Sequence, residues 1–121
     1  MIQKVNLAEK FGIFSEQWTP KIAGELNDSY VKLAKVEGEF VWHRHADEDE
    51  LFLVIRGTLR IQLREQAEIV LHPGELVIIP RGVEHRPVAD EEVQILLLEP
   101  KATKHTGDVE TEQTVHELEW I

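Results

Sequence analysis

Residues 42–52 read Trp42-His43-Arg44-His45-Ala46-Asp47-Glu48-Asp49-Glu50-Leu51-Phe52. His43 and His45 are two apart, so on an extended chain both imidazoles project from one face and can meet a single ion. Glu50 lies five residues beyond His45, an odd offset that a straight strand would send to the opposite face. A turn must intervene, and Ala46 to Asp49 is polar enough to form it. Glu50 then opens the next strand, with Phe52 and Val54 sharing its inward face. A carboxylate buried there is costly unless a cation or hydrogen bonds compensate it, and a metal ion would do so.

His85 follows the turn Pro80-Arg81-Gly82. If the strands flanking that turn pair with the His43 segment, its imidazole completes a shell of three histidines and one carboxylate. Such nitrogen and oxygen donors suit one divalent transition metal, Fe, Mn, Ni, Cu or Zn, without distinguishing sharply among them.

Outward from this stretch the chain reads as mostly β. Between Val31 and Leu98 short apolar runs are cut by Gly and Pro. Leu59, Ile61 and Leu63 alternate with Arg60, Gln62 and Arg64, a strand with one buried and one wet face. Leu51 to Ile55, Leu76 to Ile79 and Val93 to Leu98 are apolar on both alternating faces. They are expected to be covered inside by a barrel core and outside by something else, most simply a partner subunit. Arg56-Gly57-Thr58, His72-Pro73-Gly74-Glu75 and Pro80-Arg81-Gly82 supply the turn residues. Asn27-Asp28 reads as a further turn, while Ala8 to Trp18 is ambiguous.

The 121 residues suit one domain, 1–121, with a barrel core over about 30–100. A hydrophobic share of 42% and a charged share of 30% fit a soluble globular chain. The net charge of −10 opposes phosphate backbones and anionic lipid, so neither nucleic acid nor a membrane is an expected partner. With no cysteine, disulfides and thiolate metal sites are excluded. Met1 to Phe14 mixes Lys4, Glu9 and Lys10 into its apolar residues and lacks a secretory apolar run; the expected compartment is the cytoplasm.

Gly38-x4-His43-x-His45-x4-Glu50-x6-Gly57 resembles the first motif of the cupin superfamily, and Gly74-x5-Pro80-x-Gly82-x2-His85 resembles the second. Sixteen residues separate Gly57 from Gly74, similar to the short spacer of single-domain microbial cupins. The resemblance implies an all-β, double-stranded β-helix (jelly-roll) barrel, a mononuclear metal on His43, His45, Glu50 and His85, and frequently a homodimer. Within the superfamily the Trp42 to Phe52 segment looks like the small proteins labelled mannose-6-phosphate-isomerase-like, a label that reflects shared fold more than activity. Two positions depart from the family pattern. Four residues separate Gly38 from His43 where five are usual, and Ala89 stands where the second motif usually ends in asparagine.

Outside the four candidate ligands the readings are plainer. Asp47, Glu48 and Asp49 are expected in a solvated loop, and Arg44 to face away from the metal. His72, His105 and His116 are assigned to the surface. Phe40, Trp42 and Phe52 are expected to be buried, packing the barrel or shaping a substrate cavity. Arg60 and Arg64 fall on the wet face, which leaves Arg86 as the arginine best placed for an anionic substrate. Glu48, Asp49, Glu84 and Tyr30 are equal candidates for an acid or base. The chain is thus expected to act on a small molecule as a metalloenzyme, dioxygenase-like or sugar isomerase-like. The alternatives are a non-catalytic module that binds a small molecule or metal, and a metal-free structural barrel.

Overall fold

The computed structural model describes residues 2–121. One short helix, α1 (Leu7–Phe11), precedes seven strands: β1 (Lys21–Leu26), β2 (Ser29–Glu39), β3 (Glu50–Arg56), β4 (Leu59–Leu63), β5 (Gln66–Leu71), β6 (Leu76–Ile79) and β7 (His85–Pro100). All pairings among them are antiparallel. The chain adopts the all-β architecture expected from the turn-punctuated apolar runs, and the jelly roll that the cupin resemblance implies.

Strand β7 organises the barrel. Its C-terminal half pairs with β2 on one side and β3 on the other, giving the order β1-β2-β7-β3-β6. Its N-terminal half bends away and pairs with β4, which in turn carries β5. The bend falls where the polar run Asp90-Glu91-Glu92 interrupts the apolar alternation, and the β2–β7 register shifts there, between Val36 and Gly38. One strand thus serves two layers, and the space between them is filled by Val36, Phe52, Val54, Leu59, Ile61 and Ile95 among others. Gly57 makes the β3–β4 connection at φ 90°, and a Cβ there would lie 3.0 Å from the Glu92 carbonyl. A side chain is therefore excluded by both dihedral and space.

The expectation that the doubly apolar strands need an outer cover is met in part by the chain itself. Asn6 caps α1 by accepting from Glu9 N at 3.0 Å. The segment that follows lays Phe11 and Phe14 on Leu33, with Ile55 and Leu96 alongside. This resolves the ambiguity over Ala8 to Trp18: a single helical turn, then extended chain bridging Gln17 to Lys35. Farther along the sheet, Leu76 and Ile78 on β6 remain half exposed.

Candidate metal centre

His43 and His85 are held opposite each other by a reciprocal backbone pair, His43 N to His85 O at 3.0 Å and His85 N to His43 O at 2.9 Å. Their rings lie 4.4 Å apart. Two residues on, the His45 carbonyl accepts from Gly82 N at 2.7 Å, and Asp49 accepts from Arg81 N at 2.9 Å. The Pro80-Arg81-Gly82 turn is thereby pinned against the 45–49 loop. That loop turns the chain so that Glu50 begins β3 facing inward, in phase with Phe52 and Val54. The odd offset between His45 and Glu50 is resolved as the sequence requires.

The four side chains expected to ligate are all buried and present ligand atoms within 4.8 Å of one another. Glu50 Oε1 lies 3.3 Å from both His45 Nε2 and His85 Nε2. None of these three buried atoms has a hydrogen-bond partner. Buried polar atoms left unpartnered and aimed at one another are unfavourable on their own; a cation among them satisfies all three. The ring tautomers agree with this. His43 Nδ1 and His85 Nδ1 each donate to a backbone carbonyl, Val41 O and Val83 O, at 2.9 Å. Each Nε2 is left as a lone pair. Burial, reinforced by His85 alongside, lowers the His43 pKa to about 4, so its imidazole is neutral and able to coordinate at physiological pH. The residues present fit a divalent transition metal.

Sequence reading missed what lies behind Glu50. Glu99 on β7 is fully buried, accepts from Lys32 Nζ at 2.8 Å and meets the Glu50 carboxyl on its other side. Two carboxyls in contact must share a proton. Burial and the adjacent Glu50 push Glu99 well above the usual carboxylate range. Burial also opposes charge on Glu50, but Glu99, His45 and His85 outweigh it and hold Glu50 well below that range. Of the two carboxyls Glu99 is thus the one that favours the proton and Glu50 the one that favours the charge, with the buried Lys32 cation against Glu99.

A narrow apolar cleft leads to this centre. Trp18, Phe40, Phe52 and Leu97 line it together with His43 and Glu50, and its cavity volume is about 40 Å³. His105 also lines it and is only 8% exposed, which corrects its assignment to the surface. The tail that carries it folds back over the barrel, with Asp108 N donating to Arg44 O at 3.0 Å and Arg44 N to Asp108 Oδ1 at 3.1 Å. His72 and His116 are exposed, as expected.

Phe40 and Phe52 are buried beside the cleft. Trp42 is not barrel packing: it is half-buried, with the Arg64 guanidinium 3.8 Å from its ring. Arg86 is occupied by Gln62 and Glu39, at 2.8 Å and 3.2 Å, so its candidacy as an anion site lapses. The four acid or base candidates are engaged elsewhere. Asp49 pairs with Arg81, Glu84 with Arg64, Tyr30 packs on Trp120, and Glu48 accepts from Asp47 N.

Residues 29–101 match the family model described as Cupin domain, and the chain belongs to that family. Among curated proteins it is 44% identical over 62 residues to uncharacterized protein YdbB of Bacillus subtilis (strain 168), a match covering 51% of this chain and 55% of that one. The matched part thus spans about half the length of that relative. It is also 29% identical to acireductone dioxygenase 1 of Coprinopsis cinerea, over 99% of this chain and 72% of the relative. Among solved structures, a cupin-2 domain containing protein from Shewanella frigidimarina NCIMB 400 superposes with a TM-score of 0.78 at 52% identity, covering 80% of this chain and 94% of that one. Among the described residues no helix is long and apolar enough to cross a membrane.

Proposed function

We propose that this cupin is a metal-dependent enzyme acting on a small molecule, with one divalent transition metal on His43, His45, Glu50 and His85. The observation that carries the reading is the set of three unpartnered ligand atoms around one buried point, with an open cleft reaching two of the four ligands. A purely structural ion would be closed over by protein. When bound, the ion would supply Lewis-acid or redox chemistry. The chain's own residues orient the ligands through Val41 O and Val83 O, hold Glu50 ionised through Glu99 and Lys32, and exclude bulk water with aromatic walls.

Dioxygenase-like oxygenation is the favoured reaction, supported by the apolar walls and by the likeness to acireductone dioxygenase 1 along nearly the whole chain. The isomerase-like alternative has less support: a phosphosugar needs cationic side chains, and the cleft walls present none. A homodimer in the cytoplasm completes the proposal. The test loads metal-free protein with Fe, Mn, Ni, Cu and Zn in turn and measures metal per chain, then dioxygen uptake by the iron form with small chelating substrates. About one metal per chain with substrate-dependent uptake supports the reading. Failure to retain any metal overturns it, and retention with no turnover leaves a non-catalytic binding module.

A further inference from the structure

His105 is set up to do more than fill space. Its Nε2 lies 2.7 Å from the Gln113 carbonyl. A carbonyl only accepts, so this nitrogen carries the hydrogen and the neutral ring must present Nδ1 as a bare lone pair. Nδ1 is buried and has no partner among the described residues. The ring lies at the end of a stack, with Phe40 at 5.7 Å and 27°, and Trp18 beyond Phe40 at 4.6 Å and 14°. Burial pushes the His105 pKa down, which favours the neutral, accepting ring. His105 also borders a second hollow beneath the tail, lined by Tyr30, Lys32 and Trp120. The cleft is the better match because the aromatic stack and two of the candidate ligands, His43 and Glu50, line it.

An unpartnered buried acceptor on a ring that lines the cleft is unfavourable unless a ligand supplies the missing donor. We infer that His105 Nδ1 is a substrate-recognition group, accepting a hydrogen bond from the hydroxyl of a small molecule whose apolar part lies against the cleft wall. The inference rests on the cleft being the substrate site. It assigns a role to the tail, which places the imidazole from outside the barrel strands and fixes its tautomer from within the same segment. Selectivity follows from the same asymmetry. A molecule lacking the hydroxyl leaves Nδ1 unsatisfied, whereas one bearing it restores the bond.

The test uses metal-free protein, phenol as the hydroxylated probe and anisole as its donor-free counterpart. Each is titrated while cleft amide signals and the side-chain ¹⁵N signals of His105 are followed by NMR. The expected result is about tenfold tighter binding of phenol, with an upfield shift of His105 Nδ1 on adding phenol and none on adding anisole. His105→Phe keeps an aromatic ring in the stack but removes the acceptor, and the phenol preference should collapse to near unity. Equal binding of the two probes, absence of both from the cleft, or an unmoved Nδ1 overturns the inference. Because no metal is involved, these outcomes are separate from metal retention. A protein that holds its metal yet shows no phenol preference loses only this inference.

Discussion

Lys32 Nζ and Glu99 Oε1 lie 2.8 Å apart with both side chains sealed from solvent. Glu99 passes the contact on to Glu50, so a cation on β2 is linked through Glu99 to the candidate ligand carboxylate on β3. Removing the cation leaves an uncompensated buried charge. Lys32→Met is therefore expected to destabilise the metal-free protein by about 3–5 kcal/mol. Replacing Glu99 as well, as Lys32→Met with Glu99→Leu, should recover little, because the buried charge sits on Glu50 and stays without its cation. Urea unfolding of the two variants and the parent at pH 7 measures this. A loss for Lys32→Met below about 1 kcal/mol, the range of exposed pairs, would show that the pair is not the sealed one described.

The ligand assignment predicts an unequal response among histidines. His45→Ala removes a buried nitrogen 3.3 Å from Glu50 Oε1, and metal affinity should fall by more than about a hundredfold, the upper range for losing mere outer support. His116→Ala removes an exposed ring bonded only to Glu110 and should leave affinity within about twofold of the parent. Elemental analysis after dialysis distinguishes them, and equal loss in both would mean the centre lies elsewhere.

What the sequence made legible, and what it hid, follow from range. The His43, His45 and Glu50 set is local, so the two-residue spacing and the obligatory turn made it readable, while His85 joined it only on the condition of strand pairing and through the resemblance to the cupin motifs. Lys32 and Glu99 are 67 residues apart, yet each left a trace. Glu99 continues the inward phase of Val93, Ile95 and Leu97, and Lys32 that of Ala34 and Val36. A charged residue in the buried phase of a strand is a signal that alternation analysis can find. His105 left no such trace, because the tail has no period and its burial comes from docking back on the barrel, next to the Arg44–Asp108 hydrogen bonds. The outer cover was half-read: apolarity on both faces showed that something lies there, but not that Phe11 and Phe14 of the same chain supply part of it.

That docking contact turns on Gly107. It adopts φ 62° and sits so close to Arg44 that an added Cβ would lie 2.3 Å from the Arg44 carbonyl oxygen and 3.0 Å from the His43 ring. The backbone on both sides is fixed by the Arg44–Asp108 bonds, so neither can yield cheaply. Gly107→Ala is expected to cost about 1–3 kcal/mol, through release of the tail rather than through the barrel. Hydrogen exchange should show lost protection at Asp108 and Val109 with β2 and β7 unchanged. Uniform loss across the barrel, or none anywhere, would contradict a separately docked tail.

The last expectation concerns the part of the outer face that the N-terminal segment leaves bare. Two apolar rows cross the sheet in register, Ile78 to Leu51 to Leu98 and Leu76 to Leu53 to Leu96. At the Leu96 end the second row runs beneath the Phe11 and Phe14 cover. At the β6 end both rows emerge, with Leu76 and Ile78 each 53% exposed on the edge strand. Apolar rows continuous with a covered region suit a second copy of the same surface about a two-fold axis, since an isologous contact buries both bare ends at once. The protein is expected to be dimeric at micromolar concentration, and Ile78→Lys to yield monomers whose thermal midpoint falls only slightly, because the side chain is already half in water. Light scattering coupled to size exclusion reads both. A monomeric parent would remove the proposed dimer, and a dimeric Ile78→Lys variant would move the interface to another face.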